Sequence, residues 1–380
     1  MALIEKLENI GDAIRAKTGK TDLLTLDQMP IEIAAIETGG GDLPEEALRL
    51  TGNCQYKFVY DQWNWFINEY GNRVTTDTIS AMTWMFASSK TLENIPFEIN
   101  GYAKGSCSMS RMFYGCEKLK SLPKINNLKP ANIDYIFNGC KSLREIPEDY
   151  CEGWDWTGHK TGSSMAHSYM LADCFSLRKF PMDLFKYMSP TIGYTSCYFY
   201  GNFSNCTSLD ELVDLPIPYT TTWTGNAFSS SFRNACRLKN VTFEKNEDGT
   251  PKVVNWKGQT IDLTTAGAAN YTTQNYIVEY NSGITIDKRV ADDASYQALK
   301  NDPDWYTSLT AYSRYNHDSA VATINSLPDT SAYLATQSSG TNTIKFNGGA
   351  GANTDGGAIN TLTEEEIAVA TAKGWTVTLV

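Results

Sequence analysis

The chain has 380 residues, of which 42% are hydrophobic and 20% charged, and a formal net charge of -11. That balance excludes a disordered chain and leaves room for two or three folded domains. It also excludes nonspecific nucleic-acid binding, which needs clustered Lys and Arg, and no run of about eighteen apolar residues exists to insert in a membrane.

In the opening stretch, MALIEKLENIGDAIRAKTGK, charges at Glu5, Lys6 and Glu8 interrupt any apolar leader, so Sec-type export is not expected. Leu3, Ile4, Leu7, Ile10, Ala13 and Ile14 form a helical stripe. A second short helix is predicted over 26–36, with Pro30 near its first turn. These residues, 1–38, read as a helical hairpin with too little core to stand alone, and so as an anchor that packs on another copy or another protein. Its candidate docking residues are Leu3, Leu7, Ile10, Ile14, Met29 and Ile33. Residues 39–42, which include Gly39, Gly40 and Gly41, read as a flexible linker.

Residues 43–75 are expected to form an entry cap for a repeat array, with Trp63, Trp65 and Phe66 as a cover. Then one pattern occurs six times: MFASSKTLENIP, MFYGCEKLKSLP, IFNGCKSLREIP, MLADCFSLRKFP, NFSNCTSLDELV and SFRNACRLKNVT. Its anchors are Phe86, Phe113, Phe137, Leu171, Phe203 and Phe232, separated by 27, 24, 34, 32 and 29 residues. Each anchor is followed by Cys or a small residue three on, Leu six on, and an apolar residue nine on. Such a period predicts a solenoid over 43–250 that displays a surface. Phe-x-x-Cys is expected as a short helical turn and Leu-x-x-Ile as a short strand, the strands stacking in parallel. Cys116, Cys140, Cys174 and Cys206 share one position, filled by Ser89 and Ala235 in the outer copies. They therefore read as free buried thiols rather than bridges or metal ligands.

The longer intervals carry insertions, Gly153–Tyr169 and Lys186–Tyr200, rich in aromatic and small residues. Insertions in solenoids map to loops on one face, often the binding face. The candidate receptor-binding residues are Trp154, Trp156, His159, Tyr169, Tyr194, Tyr198, Tyr200 and Trp223. The 21 Tyr and 9 Trp suit either such a surface or the core between repeats. Residues 251–380 form a C-terminal repeat and capping region. Strands are predicted within 252–287 with a turn at Asn281-Ser282-Gly283, and an aromatic helix over 291–312. Another helix is predicted after it, capped by Asp318 or Ser319. The end is predicted as a β-α-β cap: a strand over 342–346, a helix with a Thr363/Glu366 capping box, and a strand over 375–380.

The repeat resembles the BspA-type leucine-rich repeat of bacterial and viral surface proteins, with its F-x-x-C-x-x-L-x-x-I/L core. IGDAIRAKTGKTDLLTLDQMPIEIAAI is similar to a segment at the start of tail-associated proteins of phages and prophages. NHDSAVATINSLPD and INTLTEEEIAVATAKGWTVTLV are similar to the end of the same proteins. The resemblance covers residues 10–36, 80–245 and 316–380. It implies an α/β leucine-rich-repeat solenoid on a phage particle, as a tail- or fibre-associated virion component. It supplies no catalytic residues.

Motifs that could carry other chemistry are incomplete. Lys17-Thr18-Gly19-Lys20-Thr21 lacks the first Gly and the preceding strand of a phosphate loop. His159, His167 and His317 are too scattered for a metal site, and Gly348–Asn360 has one carboxylate, Asp355, where a calcium loop needs several. The pairs Asp302/Asp304 and Asp292/Asp293 read as solvated loop charges. No catalytic residue, cofactor or metal is expected. The leading expectation is a non-enzymatic phage virion surface protein that binds a host glycan or protein and docks on other virion proteins through its N-terminal helices. A trimer is expected by analogy with tail appendages, without heptad support. The alternative is a structural virion subunit, such as a head fibre, decoration or tail-assembly protein. A bacterial adhesin and a depolymerase rank below both.

Overall fold

A computed structural model describes residues 11, 12, 14, 15, 43, 45–156, 168–188, 199–206, 208–217, 228–233, 235, 238, 240–264, 276–279, 284–287, 316–346 and 362–380. Its organising unit is a tight backbone corner around each anchor. The residues two before and two after the anchor both have positive φ: Trp84 and Ser88 around Phe86, Arg111 and Gly115 around Phe113, Tyr135 and Gly139 around Phe137. Within each corner, amide bonds run from residue i+3 back to i, as from Met85 to Met82 (3.0 Å) and from Ser89 to Phe86 (3.2 Å). A positive φ at the third residue of each of these turns is the type II signature.

Left-handed backbone costs a non-glycine residue roughly 1–2 kcal/mol. Rungs between copies offset it. The amides at anchor minus two, anchor and anchor plus two donate to carbonyls of the next copy: Trp84 to Ser110 (3.0 Å), Phe86 to Met112 (2.9 Å) and Ser88 to Tyr114 (2.6 Å). The same trio recurs from Arg111, Phe113 and Gly115 to Asp134, Ile136 and Asn138. At Gly139 a side chain would also crowd the neighbouring turn, since a Cβ there would lie 3.3 Å from Gly115 Cα.

This geometry corrects the expected helical turn. Cys116 N bonds Phe113 O at 3.1 Å, so anchor and cysteine do share a side. The left-handed residues nevertheless prevent the chain from continuing as a helix. In the first copies the expected strand at Leu-x-x-Ile is also displaced. Leu92 and Ile95 are both buried although three residues apart, which a strand of period two cannot arrange. That segment carries single rungs instead, such as Lys120 N to Glu93 O at 2.8 Å.

In those copies the strands lie elsewhere. β1 (Arg49–Asn53) pairs in parallel with β2 (Thr75–Ala81). Beyond each Pro, β3 (Ile99–Asn100) pairs with β5 (Ile125–Asn126), and β4 (Cys107–Ser108) with β6 (Pro130–Asn132), all in parallel. In the last two copies the strand starts where it is expected, β7 (Glu211–Leu215) pairing in parallel with β8 (Asn240–Phe243) so that Leu212 faces Val241.

Part of the expected cap proves to be one more copy. Phe58 is flanked by Tyr56 and Tyr60 at φ 57° and 59°, and its amide donates to Met85 O at 2.7 Å. Asp61 stands in the cysteine position, where its carboxylate accepts from Thr91 N at 2.8 Å. A short helix, Asn64–Tyr70, then buries Phe66 and Ile67 against the first copies. No donor among the described residues meets the carbonyls of Gln55, Lys57 and Val59, which have no preceding copy to bond.

Two spines run through the interior. The rings of Phe58, Phe86, Phe113 and Phe137 stack at 5.3, 5.6 and 5.7 Å, each pair contributing about 0.5–1.5 kcal/mol beyond its buried area. Beside them the thiols of Cys116, Cys140, Cys174 and Cys206 donate to the carbonyls of Phe86, Phe113, Phe137 and Leu171 at 3.1, 3.2, 3.1 and 3.0 Å. Ser89 makes the equivalent bond to Phe58 O at 2.8 Å. Among the described residues every cysteine is free and buried.

The far end is covered by a second unit. β9 (Thr260–Asp262) joins a three-stranded parallel sheet, and β10 (Tyr276–Glu279) pairs antiparallel with β11 (Ile284–Asp287). The helix α1 (His317–Ser326) lies on β8, with Thr323 Oγ1 donating to Val241 O at 2.6 Å and Phe243 N to Ser326 Oγ at 3.1 Å. Its cap is Asn316, which accepts from Ser319 N at 2.9 Å, and not Asp318 or Ser319. β12 (Asn342–Phe346), α2 (Glu364–Ala372) and β13 (Trp375–Leu379) complete the sheet in the order β13-β12-β9. Thr363 and Glu366 form a capping box. The segments 281–283, 291–312 and 348–360 lie outside the described residues. Among the described residues no helix is long and apolar enough to cross a membrane.

Burial pushes the ladder thiols well above their ordinary range. Peptide mapping after native alkylation at pH 8 should therefore leave these four positions unlabelled until the protein is denatured. Urea unfolding of Cys140→Ser should show a loss of about 1 kcal/mol or less, because the donor survives as it does at Ser89. Cys140→Val should lose about 1–3 kcal/mol by leaving Phe113 O without its donor. Apolar packing alone would reverse that order.

A pH dependence is built into the covering unit. His317 Nε2 lies 3.1 Å from Glu366 Oε2, and Nδ1 lies 3.3 Å from Asp318 Oδ1. Partial burial alone would lower the imidazole, but the two carboxylates outweigh it and raise its pKa. The link is complete below the ordinary histidine value of ~6.5 and fades as pH rises through the raised value. Thermal melting should accordingly fall above pH ~6.5, and His317→Gln should flatten that fall.

Candidate interaction surface

The left-handed residue two before each anchor turns its side chain out of the corner, so these positions form a row along the stack. From the first copy onward it reads Tyr56, Trp84, Arg111, Tyr135, Tyr169, Gly201 and Ser230. Tyr56 stacks on Trp84 at 6.2 Å, and Tyr135 on Tyr169 at 5.2 Å. Tyr114 joins from the side, 5.6 Å from Trp84 and 6.4 Å from Tyr135. The Arg111 guanidinium bridges the two halves, 5.4 Å from the Trp84 ring and 4.4 Å from the Tyr135 ring. Gly201 ends the aromatic run for a steric reason. A Cβ there would meet the Tyr169 ring at 2.1 Å, so the ring rests directly on backbone.

Tyr56 is 57% exposed, and Trp84, Arg111, Tyr114, Tyr135 and Tyr169 are half-buried. The stacked pairs Tyr56–Trp84 and Tyr135–Tyr169 cover part of each other's faces, and the rest of each side chain is left partly open to solvent. Small buried residues adjoin it, with Ala87 and Ala172 just after their anchors. Asp134 lies at the base. Burial lifts its carboxyl to about 6 against the pull of its hydrogen bonds and of Arg111.

Of the sequence-predicted recognition residues, Tyr169 belongs to this row. Tyr200 is half-buried, and its carbonyl accepts the Tyr169 amide at 2.7 Å. Trp154 and Trp156 require a correction. Each is 7% exposed, their rings lie 5.6 Å apart, and Trp154 Nε1 donates to Ile125 O at 3.1 Å. Both indoles are packed in the core, Trp154 with Tyr150 at 5.5 Å, and neither presents an exposed face. His159, Tyr194, Tyr198 and Trp223 lie outside the described residues, as do Leu3, Leu7, Ile10, Met29 and Ile33 of the docking set. Ile14 is described, in a helical stretch, and is buried.

Sequence reasoning missed Tyr56, Trp84, Arg111, Tyr114 and Tyr135. Their signal was phase: aligning the copies on the anchors puts four of these five in one column. Among the described residues no group of three His, Cys, Asp or Glu side chains is placed to hold a metal. No family model, curated protein or solved structure matches the chain.

The contact between Tyr169 and Gly201 is testable. Gly201→Ala adds a clash to a φ of 59° and should cost about 1–3 kcal/mol in thermal or urea unfolding. In Tyr169→Ala the clash partner is gone, so the same substitution should cost less, a coupling that a double-mutant cycle reads directly.

Proposed function

We propose that the chain is a non-enzymatic phage virion surface protein that recognises the host cell, built as a leucine-rich-repeat solenoid on an N-terminal docking segment. The row from Tyr56 to Tyr169 carries this reading. Large amphipathic side chains are half-exposed in register on a backbone that its rungs hold rigid, which lowers the entropy lost on binding. The likeness of both chain ends to phage tail-associated proteins supports the virion setting. Docking on other virion proteins falls to the N-terminal helices, and several copies on one particle would supply avidity for weak individual contacts.

One observation favours a structural subunit as the second reading. The unpaired carbonyls of Gln55, Lys57 and Val59 form an acceptor edge that a neighbouring virion protein could meet with amide donors. Two copies meeting head to head would oppose acceptor to acceptor, so that neighbour is a different surface.

Binding of the labelled full chain to intact cells from a panel of bacterial hosts separates the two. Saturable binding to some hosts, weakened about tenfold or more by Tyr135→Ala with Tyr169→Ala, is expected. Absence of binding on every host, even for a multimerised chain, would overturn recognition in favour of the structural role.

A further inference from the structure

Arg111 is the one cation in the aromatic row, and its charge is not engaged in an ion pair. Among the described residues no carboxylate lies within 4.0 Å of its guanidinium, and its side-chain hydrogen-bond partner is Ser110 Oγ at 3.5 Å. The nearby acid, Asp134, is turned to another task, accepting from Ser168 N at 3.2 Å. Trp84 and Tyr135 hold the guanidinium by cation–π contacts while leaving it half-exposed. A guanidinium fixed in this way has already lost much of its rotamer freedom, and its donors match a carboxylate in a fork.

We infer that Arg111, between Trp84 and Tyr135, is the recognition point for a carboxylate of an acidic glycan lying along the row. This rests on the host-recognition reading and narrows its ligand class. Spacing favours a glycan over an extended acidic peptide. Adjacent rings of the row lie 6.2 Å (Tyr56–Trp84) and 5.2 Å (Tyr135–Tyr169) apart, and successive copies advance by about the 4.8 Å spacing of paired strands. Like-facing side chains of an extended peptide recur every ~6.6 Å and drift out of step over several copies. Tyrosine hydroxyls at the ring edges suit sugar hydroxyls on either side of the carboxylate. The net charge of -11 opposes a polyanion at a distance, but screening over about 8 Å at physiological ionic strength leaves the contact at Arg111 to decide.

Calorimetric titration of the full chain with a galacturonic acid hexamer, its fully methyl-esterified form and hexaglutamate tests the inference. The free acid should bind. Esterification and Arg111→Gln should each weaken binding about tenfold or more, and Arg111→Lys should restore part of the loss. No binding of the free acid at millimolar concentration, equal binding of the ester, or an unchanged Arg111→Gln would overturn the carboxylate site. Hexaglutamate binding as tightly as the glycan would overturn the glycan assignment in favour of an acidic peptide. Thermal melting accompanies each variant, and if Arg111→Gln fails to fold, the ester and Arg111→Lys decide. Host-cell binding that survives in Arg111→Gln would remove this inference while leaving host recognition standing.

Discussion

Every copy depends on a backbone compromise at its corner. Around each anchor from Phe58 to Phe203 two residues adopt left-handed conformations, and this aims backbone donors along the stack axis. Removing the rungs would leave tryptophan, arginine and tyrosine in an unfavourable region with nothing to hold them. Without the left-handed residues, the amides would close a helix and the copies would have no edge to share. The phenylalanine and thiol spines are consequences, since both occupy the narrow interior that the corners enclose. The aromatic row is a consequence on the outside. A left-handed residue turns its side chain away from the core, so the strain that aligns the rungs also sets the row in register.

Side-chain chemistry reinforces that alignment between particular copies. Glu117 takes Lys141 at 3.1 Å and Lys90 at 3.5 Å, while Lys120 meets Glu93 at 2.9 Å. The exposed pair adds a few tenths of a kcal/mol at most, but Lys141 is buried and would be costly to strand. Such pairs discriminate among neighbours more than they hold the stack together, since backbone rungs recur in every copy from Phe58 to Phe203.

Much of the interior was legible in the sequence. Anchor, cysteine and leucine positions recur at fixed offsets, and each occupies one place in the corner. The capping box at Thr363 and Glu366 was legible because its spacing is local. Left-handed backbone at Trp84, Arg111 and Tyr135 was not, since those residue types give no sign of positive φ. The copy around Phe58 was hidden by Asp61, which replaces a thiol with a carboxylate and reverses the direction of hydrogen bonding. Trp154 and Trp156 misled for a different reason. Insertions favour exposed loops, but these two rings lie at the root of one, where apolar surface from the stack still needs covering.

The one-way sense of the rungs has a further consequence. Every interior copy from Phe86 to Phe203 shows acceptors to the copy before it and donors to the copy after it, so interior copies share one direction of bonding. The two ends are not equivalent: one carries open carbonyls, and the other is closed by α1 lying on β8. The chain can therefore change length by gaining or losing whole copies in its middle, while both termini keep their surroundings. Reach becomes adjustable in steps of about 5 Å, the spacing between adjacent strands, without redesign of either attachment.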